Sequence, residues 1–123
     1  MGQGERIHYA DSARLTAAVD RIFAALADPN RRRAIELLGE RPRSAGELAS
    51  ALSLSPPALS RHLRLLKASG LVDEMHPQFD ARVRVYSLKD GAMTELKRWV
   101  AGTEAMWAAQ LSAFKAHVEK GNR

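Results

Sequence analysis

The sequence contains no cysteine among its 123 residues. A disulfide, a thiolate metal site and a cysteine nucleophile are therefore excluded. Long apolar runs are also absent: nowhere do 18 apolar residues follow one another, and the beginning MGQGERIHYADSARL lacks the apolar core of a signal peptide. We therefore expect neither a membrane span nor export, and we expect a cytoplasmic protein.

Features that support catalysis are missing as well. The sequence has no Ser-His-Asp arrangement in a nucleophile context, no glycine-rich phosphate loop and no paired carboxylates in an apolar setting. The histidines show no ligand spacing between neighbours; they are His8, His62, His76 and His117. These absences argue against an enzyme and against a bound cofactor.

The chain does have an excess of positive charge. Lys and Arg number 19 against 14 Asp and Glu, a formal net charge of +5, in a sequence that is 46% hydrophobic. This length and composition predict one compact domain. The charge favours a polyanion such as nucleic acid or an anionic membrane face, while a basic protein without such a partner is an equal alternative.

Apolar residues at helical spacing predict two helices at the start of the domain. The first covers residues 13–27. Asp28 is a suitable cap for the second, and Pro29 occupies its first position, where a missing N–H costs nothing. Arg31, Arg32 and Arg33 follow in the first turn, where the helix dipole disfavours positive charge, and we interpret them as a solvated face. Gly39 is expected to end this helix.

Two further helices are predicted from capping residues. Ser44 and Glu47 form a capping box for a short third helix, residues 45–52. A turn of four residues then leads to Ser55, which caps a fourth helix over residues 56–69. Its first two positions are prolines, and a glycine follows its end.

The fourth helix has two distinct faces. Leu59, Leu63 and Leu66 form one stripe that we expect to be buried. The opposite face carries Pro57, Ser60, Arg61, Arg64 and Lys67, with His62 on the flank. His62 either packs inside against the turn or faces outward, and the sequence leaves both interpretations open.

After the fourth helix the period changes from helical to alternating. Residues 71–88 predict a hairpin, with a turn in PQFDA. Arg82, Arg84 and Tyr86 share one face of its second strand and the intervening valines share the other, so one face must meet solvent or a ligand. A last helix is predicted over residues 90–118, and its length of about 40 Å exceeds what the rest of the domain can cover.

Two helices joined by a short turn, followed at once by a hairpin with arginines, form the layout of a winged helix-turn-helix. The stretches FAALADPNRRRAIELL, SAGELASALSLSPPALSRHLRLLKASGLV and RVYSL also resemble the ArsR-type winged-helix transcriptional repressors. The predicted fold class is therefore mainly α (α+β), with helices, a two-stranded wing and a long C-terminal dimerisation helix. Residues 1–12 are expected to be a flexible arm, 13–118 the single domain and 119–123 a tail.

The resemblance implies roles for particular residues. In the family the first and last helices, here 13–27 and 90–118, build a two-fold dimer, and the fourth helix enters DNA. The residues expected at the dimer interface are Leu15, Val19, Leu96, Trp99, Val100, Trp107, Leu111 and Phe114. The residues expected to contact DNA are Ser55, Pro56, Pro57, Ser60, Arg61, His62, Arg64 and Lys67 on the helix, and Arg82 and Arg84 at the base of the wing.

The sequence departs from the best-known members of this family at their metal sites. One family site uses a Cys-x-Cys pair, and Ser44 and Gly46 occupy the matching positions here. Another uses carboxylates and histidines on the last helix. Asp90 survives there, but Ala92, Thr103 and Met106 occupy the following positions. We therefore predict no metal site and no metal sensing by the usual sites.

The predicted function is that of a homodimeric repressor that binds a palindromic operator through the helix 56–69 and the wing 71–88. Its partners would be double-stranded DNA and a second copy of the chain, with no membrane involved and with an inducer, small molecule or protein, left open. One alternative is a winged-helix module that binds an acidic protein. Another is a repressor released by a small apolar ligand at the dimer interface.

Overall fold

The computed structural model describes residues 17–76 and 82–121. It contains a first helix α1 over residues 17–26, then α2 (Pro29–Glu40), β1 (Arg43–Ser44), α3 (Ala45–Leu52), α4 (Pro56–Ala68), β2 (Val72–Met75), β3 (Val85–Leu88) and α5 (Thr94–Gly121). The predicted arm, Leu15 and the turn of the hairpin lie outside the described residues. No helix within the described ranges is long and apolar enough to cross a membrane.

The helix starts follow the capping residues. Asp28 Oδ1 accepts from the backbone N–H of Asn30 at 2.8 Å, and Ser44 Oγ accepts from that of Glu47 at 3.1 Å. The expected stop at Gly39 is wrong, because α2 continues to Glu40 and ends where Arg41 adopts an extended conformation. A single glycine costs a helix only about 1 kcal/mol, so it does not by itself end one.

The core forms where α2, α3 and α4 meet the sheet. Leu48, Leu66 and Leu71 are fully buried, and the predicted stripe of Leu59 and Leu63 joins them. Ser53, with a φ of 54°, and Gly70, with a φ of 78°, make the turns on either side of α4. The leucine stripe therefore fixes the rotation of α4 about its own axis, and its other face is left outside.

Among the residues that the structure describes, three antiparallel strands form a sheet in the order β1-β3-β2. Strand β2 pairs with β3 so that Glu74 lies opposite Tyr86, and β1 pairs with the other edge of β3, with Arg43 opposite Tyr86. The hairpin prediction identified two of the three strands. Strand β1 has only two residues, too few for an alternating pattern, and depends on its pairing with β3.

Helix α5 differs from its predicted bounds of 90–118. Gly91 has a φ of 72°, and the N–H groups of Ala92 and Thr94 bond to Lys89 and Gly91 as a turn, so the helix begins at Thr94. It then continues for 28 residues to Gly121, about 42 Å. Residues 119–121, which were predicted to be part of a tail, therefore belong to the helix.

Candidate nucleic-acid interface

The outer face of α4 presents short polar and long basic side chains to solvent. Ser60, Arg61 and Arg64 are exposed, on the side opposite the buried leucines. Pro56 and Pro57 are exposed at the first two helical positions, where they place no unpaired N–H at the helix end. A B-DNA major groove is about 12 Å wide and admits one such helix.

Ser55 has a structural task of its own at the start of α4. Its backbone is extended, and its Oγ accepts from the backbone N–H of Ala58 at 3.3 Å. This bond satisfies one of the N–H groups that have no partner inside the helix. The hydroxyl hydrogen can still be donated to a phosphate, so capping and the predicted DNA contact are compatible.

We expect Ser55→Ala to lower the free energy of unfolding by about 1 kcal/mol, because the cap of α4 is lost. Urea unfolding followed by circular dichroism measures this change. Ser60→Ala is the matched control, since Ser60 is exposed within the same helix and caps nothing; it should be neutral within about 0.5 kcal/mol. Equal effects of the two substitutions would contradict a capping role for Ser55.

Lys67 lies at the seam between α4 and the hairpin, where it meets an acidic residue. Its Nζ donates to Glu74 Oε2 at 2.5 Å, and Arg84 Nε lies 3.5 Å from Glu74 Oε1. The hydrogen bond from Lys67, followed by the nearby charges of Lys67 and Arg84, holds the pKa of the Glu74 carboxyl below its ordinary value despite partial burial. Two of the cations predicted to contact DNA thus share one carboxylate.

Tyr86 marks the face of the hairpin that is buried against the core. It is only 4% exposed, and its hydroxyl donates to Glu74 Oε1 at 3.3 Å. Burial is the main cause that raises the pKa of the Tyr86 hydroxyl. Arg84, on the same face, lines a concave site of about 220 Å³ between α4 and the strands, and both Arg84 and Arg82 are exposed.

His62 lies on the flank of α4 and faces α2. It is half-buried, and its Nδ1 is 3.2 Å from an Nη atom of Arg31. Arg31 also donates from Nε to the Ala25 carbonyl at 2.5 Å and from its other Nη to the Ala24 carbonyl at 3.3 Å. The inward interpretation of His62 describes this position, and a DNA contact from it stays a prediction.

The prediction of a solvated face is wrong for Arg31 and Arg32, which donate to carbonyls at the end of α1, whereas Arg33 is exposed beside Glu36. Arg31 binds the end of α1 and the flank of α4, and Arg32 donates to the Leu26 carbonyl at 2.7 Å. The last carbonyls of a helix have no internal partner and attract cations. A signal for this role was present: the arginines follow the end of α1 within a few residues.

The apolar face of α5 is the second exposed surface of note. Trp107, Leu111 and Phe114 are exposed, the last two by 68% and 67%, and Trp99 and Val100 are partly exposed. Trp99 packs edge-to-face on Phe23 of α1 with ring centroids 5.4 Å apart, so α1 and α5 are in contact within the single chain. A continuous apolar face of this kind marks an interaction surface.

Two predicted interface residues lie inside the single chain instead. Val19 is 2% exposed and Leu96 packs against the core, so neither belongs to the exposed face. Helical spacing places residues on one side of a helix, but it does not separate those that face the chain's own core from those that face a partner.

Within the described ranges no three His, Cys, Asp or Glu side chains are grouped as a metal site would require.

A helix-turn-helix formed by α3 and α4, followed by a hairpin against the end of α4, defines a winged helix-turn-helix transcriptional regulator. The particular family follows from comparison with known proteins: the model of the bacterial regulatory proteins of the arsR family matches residues 28–74. The chain belongs to the ArsR family, whose members are DNA-binding transcriptional regulators rather than enzymes. The predicted family and fold class are thereby confirmed.

Individual relatives agree with this assignment. The HTH-type transcriptional regulator Rv2034 of Mycobacterium tuberculosis is 35% identical over 95 residues, which cover 77% of this chain and 83% of that protein. The transcriptional repressor SdpR of Bacillus subtilis is 30% identical over 83 residues, which cover 67% of this chain and 88% of the repressor. The homodimeric winged helix-turn-helix DNA-binding domain of Mb0332 from Mycobacterium bovis has a TM-score of 0.60 at 26% identity, covering 77% of this chain and 87% of that fragment.

Proposed function

We propose that this protein is a homodimeric repressor that binds a palindromic operator and acts in the cytoplasm, where it occupies a promoter. The observation that carries the proposal is the exposed face of α4, on which Ser60, Arg61 and Arg64 project away from the buried leucines. Repression is supported by the Bacillus subtilis relative, which is named a repressor.

In this proposal, base contacts and phosphate contacts are made by different residues of α4 and the wing. Ser60 and Arg61 are near enough to the N-terminal end of the helix to meet base edges, and an arginine binds guanine O6 and N7 with two hydrogen bonds. Arg64, Lys67 and the wing arginines Arg82 and Arg84 supply phosphate contacts, which position the protein without reading sequence. The Ser55 cap and the two prolines after it set the start of the recognition helix.

The homodimer is supported by the apolar face of α5 and by the homodimeric state of the Mycobacterium bovis relative. A two-fold interface uses the same surface of both subunits, so the two copies of α4 are related by the same axis. Helices that enter successive major grooves on one side of the duplex stand about 34 Å apart. An operator with two-fold symmetry follows from this arrangement.

Selection of duplexes from a random pool tests the proposal directly. We expect an enriched inverted repeat with half-sites about 10 base pairs apart, bound at nanomolar Kd. With four phosphate contacts per subunit and eight in the dimer, a plot of log K against log salt should have a slope of about −7. Failure to enrich any sequence, together with no binding at low salt, would support the protein-interaction module instead.

A further inference from the structure

Glu74 occupies a central position in the seam between the recognition helix and the wing. Lys67 Nζ donates to its Oε2 at 2.5 Å, and Arg84 Nε is 3.5 Å from its Oε1. The two cations are exposed, whereas the Glu74 side chain is only 15% exposed. The carboxylate therefore lies beneath two cations on the surface that meets DNA.

The position of this carboxylate is set by the sheet. Glu74 belongs to β2 and pairs in register with Tyr86, whose buried ring is part of the core. The Tyr86 hydroxyl donates to Oε1 at 3.3 Å, and His76 Nε2 lies 3.8 Å from the same oxygen. These contacts hold the Glu74 carboxylate in place, and the longer Lys67 and Arg84 side chains reach it.

A carboxylate in this position lowers the charge that a phosphate meets. Sequence-independent affinity for DNA comes from cations that displace counterions from the phosphates. Lys67 and Arg84 must release or share Glu74 before they bind phosphate, and the carboxylate itself repels the backbone. The net contribution of the three groups is one positive charge instead of two.

We propose that Glu74 sets the sequence-independent part of the protein's affinity for DNA, by pairing with Lys67 and Arg84 and so limiting their contacts with phosphate. The proposal rests on the proposed function, since it concerns the same DNA surface. Phosphate contacts are made on every sequence, so Glu74 lowers the affinity for the operator and for other DNA by a similar factor. Arg61, in contrast, distinguishes bases.

Glu74→Gln tests the proposal, because the amide keeps the shape of the side chain and removes its charge. On a mixed-sequence 30-base-pair duplex, we expect binding about threefold to tenfold tighter at about 0.1 M salt, with a salt slope steeper by about two, because each dimer carries two copies of Glu74. The duplex selected by the wild-type protein should be bound tighter by a similar factor. Glu36→Gln is the matched control, since Glu36 is an exposed acid paired with Arg33 on α2, 3.8 Å away.

The outcome separates this proposal from the proposed function. Binding of Glu74→Gln to the mixed-sequence duplex that is weaker, or no tighter than that of Glu36→Gln, would overturn the role of Glu74. Failure of the wild-type protein to select any duplex from the random pool would instead overturn the proposed function. Thermal unfolding of each variant checks that the seam remains folded.

A double-mutant cycle with Lys67→Gln tests whether Glu74 affects DNA binding through Lys67. In the wild-type background this change should weaken binding to the mixed-sequence duplex only slightly, because Lys67 is paired. In the Glu74→Gln background the same change should weaken binding about threefold more, since Lys67 then contacts phosphate. Additive effects would exclude Lys67 as the group through which Glu74 acts.

Discussion

Replacing Leu111 with glutamate should convert the dimer to a monomer and weaken operator binding by about 100-fold or more. Leu111 is 68% exposed within one chain, so the winged domain itself should fold normally. In a two-fold interface the substitution introduces two charges into an apolar contact. A monomer binds one half-site and loses the effective concentration that joins the two recognition helices, which is worth about 10²- to 10⁴-fold.

Sedimentation velocity and fluorescence anisotropy on the selected duplex measure the two effects together. Ala109→Glu is the control, since helical spacing places Ala109 on the opposite side of α5, where it is exposed. It should leave both the dimer and the affinity unchanged. A Leu111→Glu protein that remains dimeric and binds as tightly as the wild type would show that the copies meet elsewhere.

Replacing Arg61 with alanine should cost operator binding about 1–3 kcal/mol, or roughly 5- to 150-fold in Kd, and relax the base preference at one position of each half-site. Arg61 lies exposed on the outer face of α4, one residue after Ser60. The loss should fall on the operator and leave binding to mixed-sequence DNA nearly unchanged, because a base contact exists only in the specific complex.

Two further variants serve as comparisons for Arg61→Ala. Arg61→Lys keeps the charge but lacks the planar fork that binds guanine, so it should lose most of the same specificity. Lys67→Ala should weaken operator and mixed-sequence DNA alike and only slightly, because Lys67 reads no base and is paired with Glu74. Anisotropy titrations on the selected duplex, its single-base variants and a mixed-sequence duplex distinguish the three protein variants. Equal losses on operator and mixed-sequence DNA for Arg61→Ala would remove its base-reading role.

Features that depend on neighbours along the chain were predicted well. Ser44 and Ser55 cap their helices as expected, and Leu59, Leu63 and Leu66 are buried on one side of α4. Each is decided within about one or two turns of helix, so the residues that decide it are close in sequence. The exposed face of the recognition helix follows from the same local pattern.

Features that depend on distant partners were not visible. The alternation of the hairpin placed Arg84 and Tyr86 on one face, but only packing against α4 shows that this face is inward at Tyr86. The pairing of Glu74 with Lys67 joins residues on different elements. Arg31 was interpreted as solvated because its partners, the end of α1 and His62, meet only in the folded chain.

Helical periodicity and capping are local, so the helices, the buried leucine stripe of α4 and its exposed polar face could be predicted from the sequence. The folded chain was needed to show that Val19 faces inward while Leu111 and Phe114 remain outside. It was also needed to show that Glu74 lies beneath Lys67 and Arg84. Burial and ion pairing depend on distances between elements, and the chain acquires those distances when its separate helices and strands pack together.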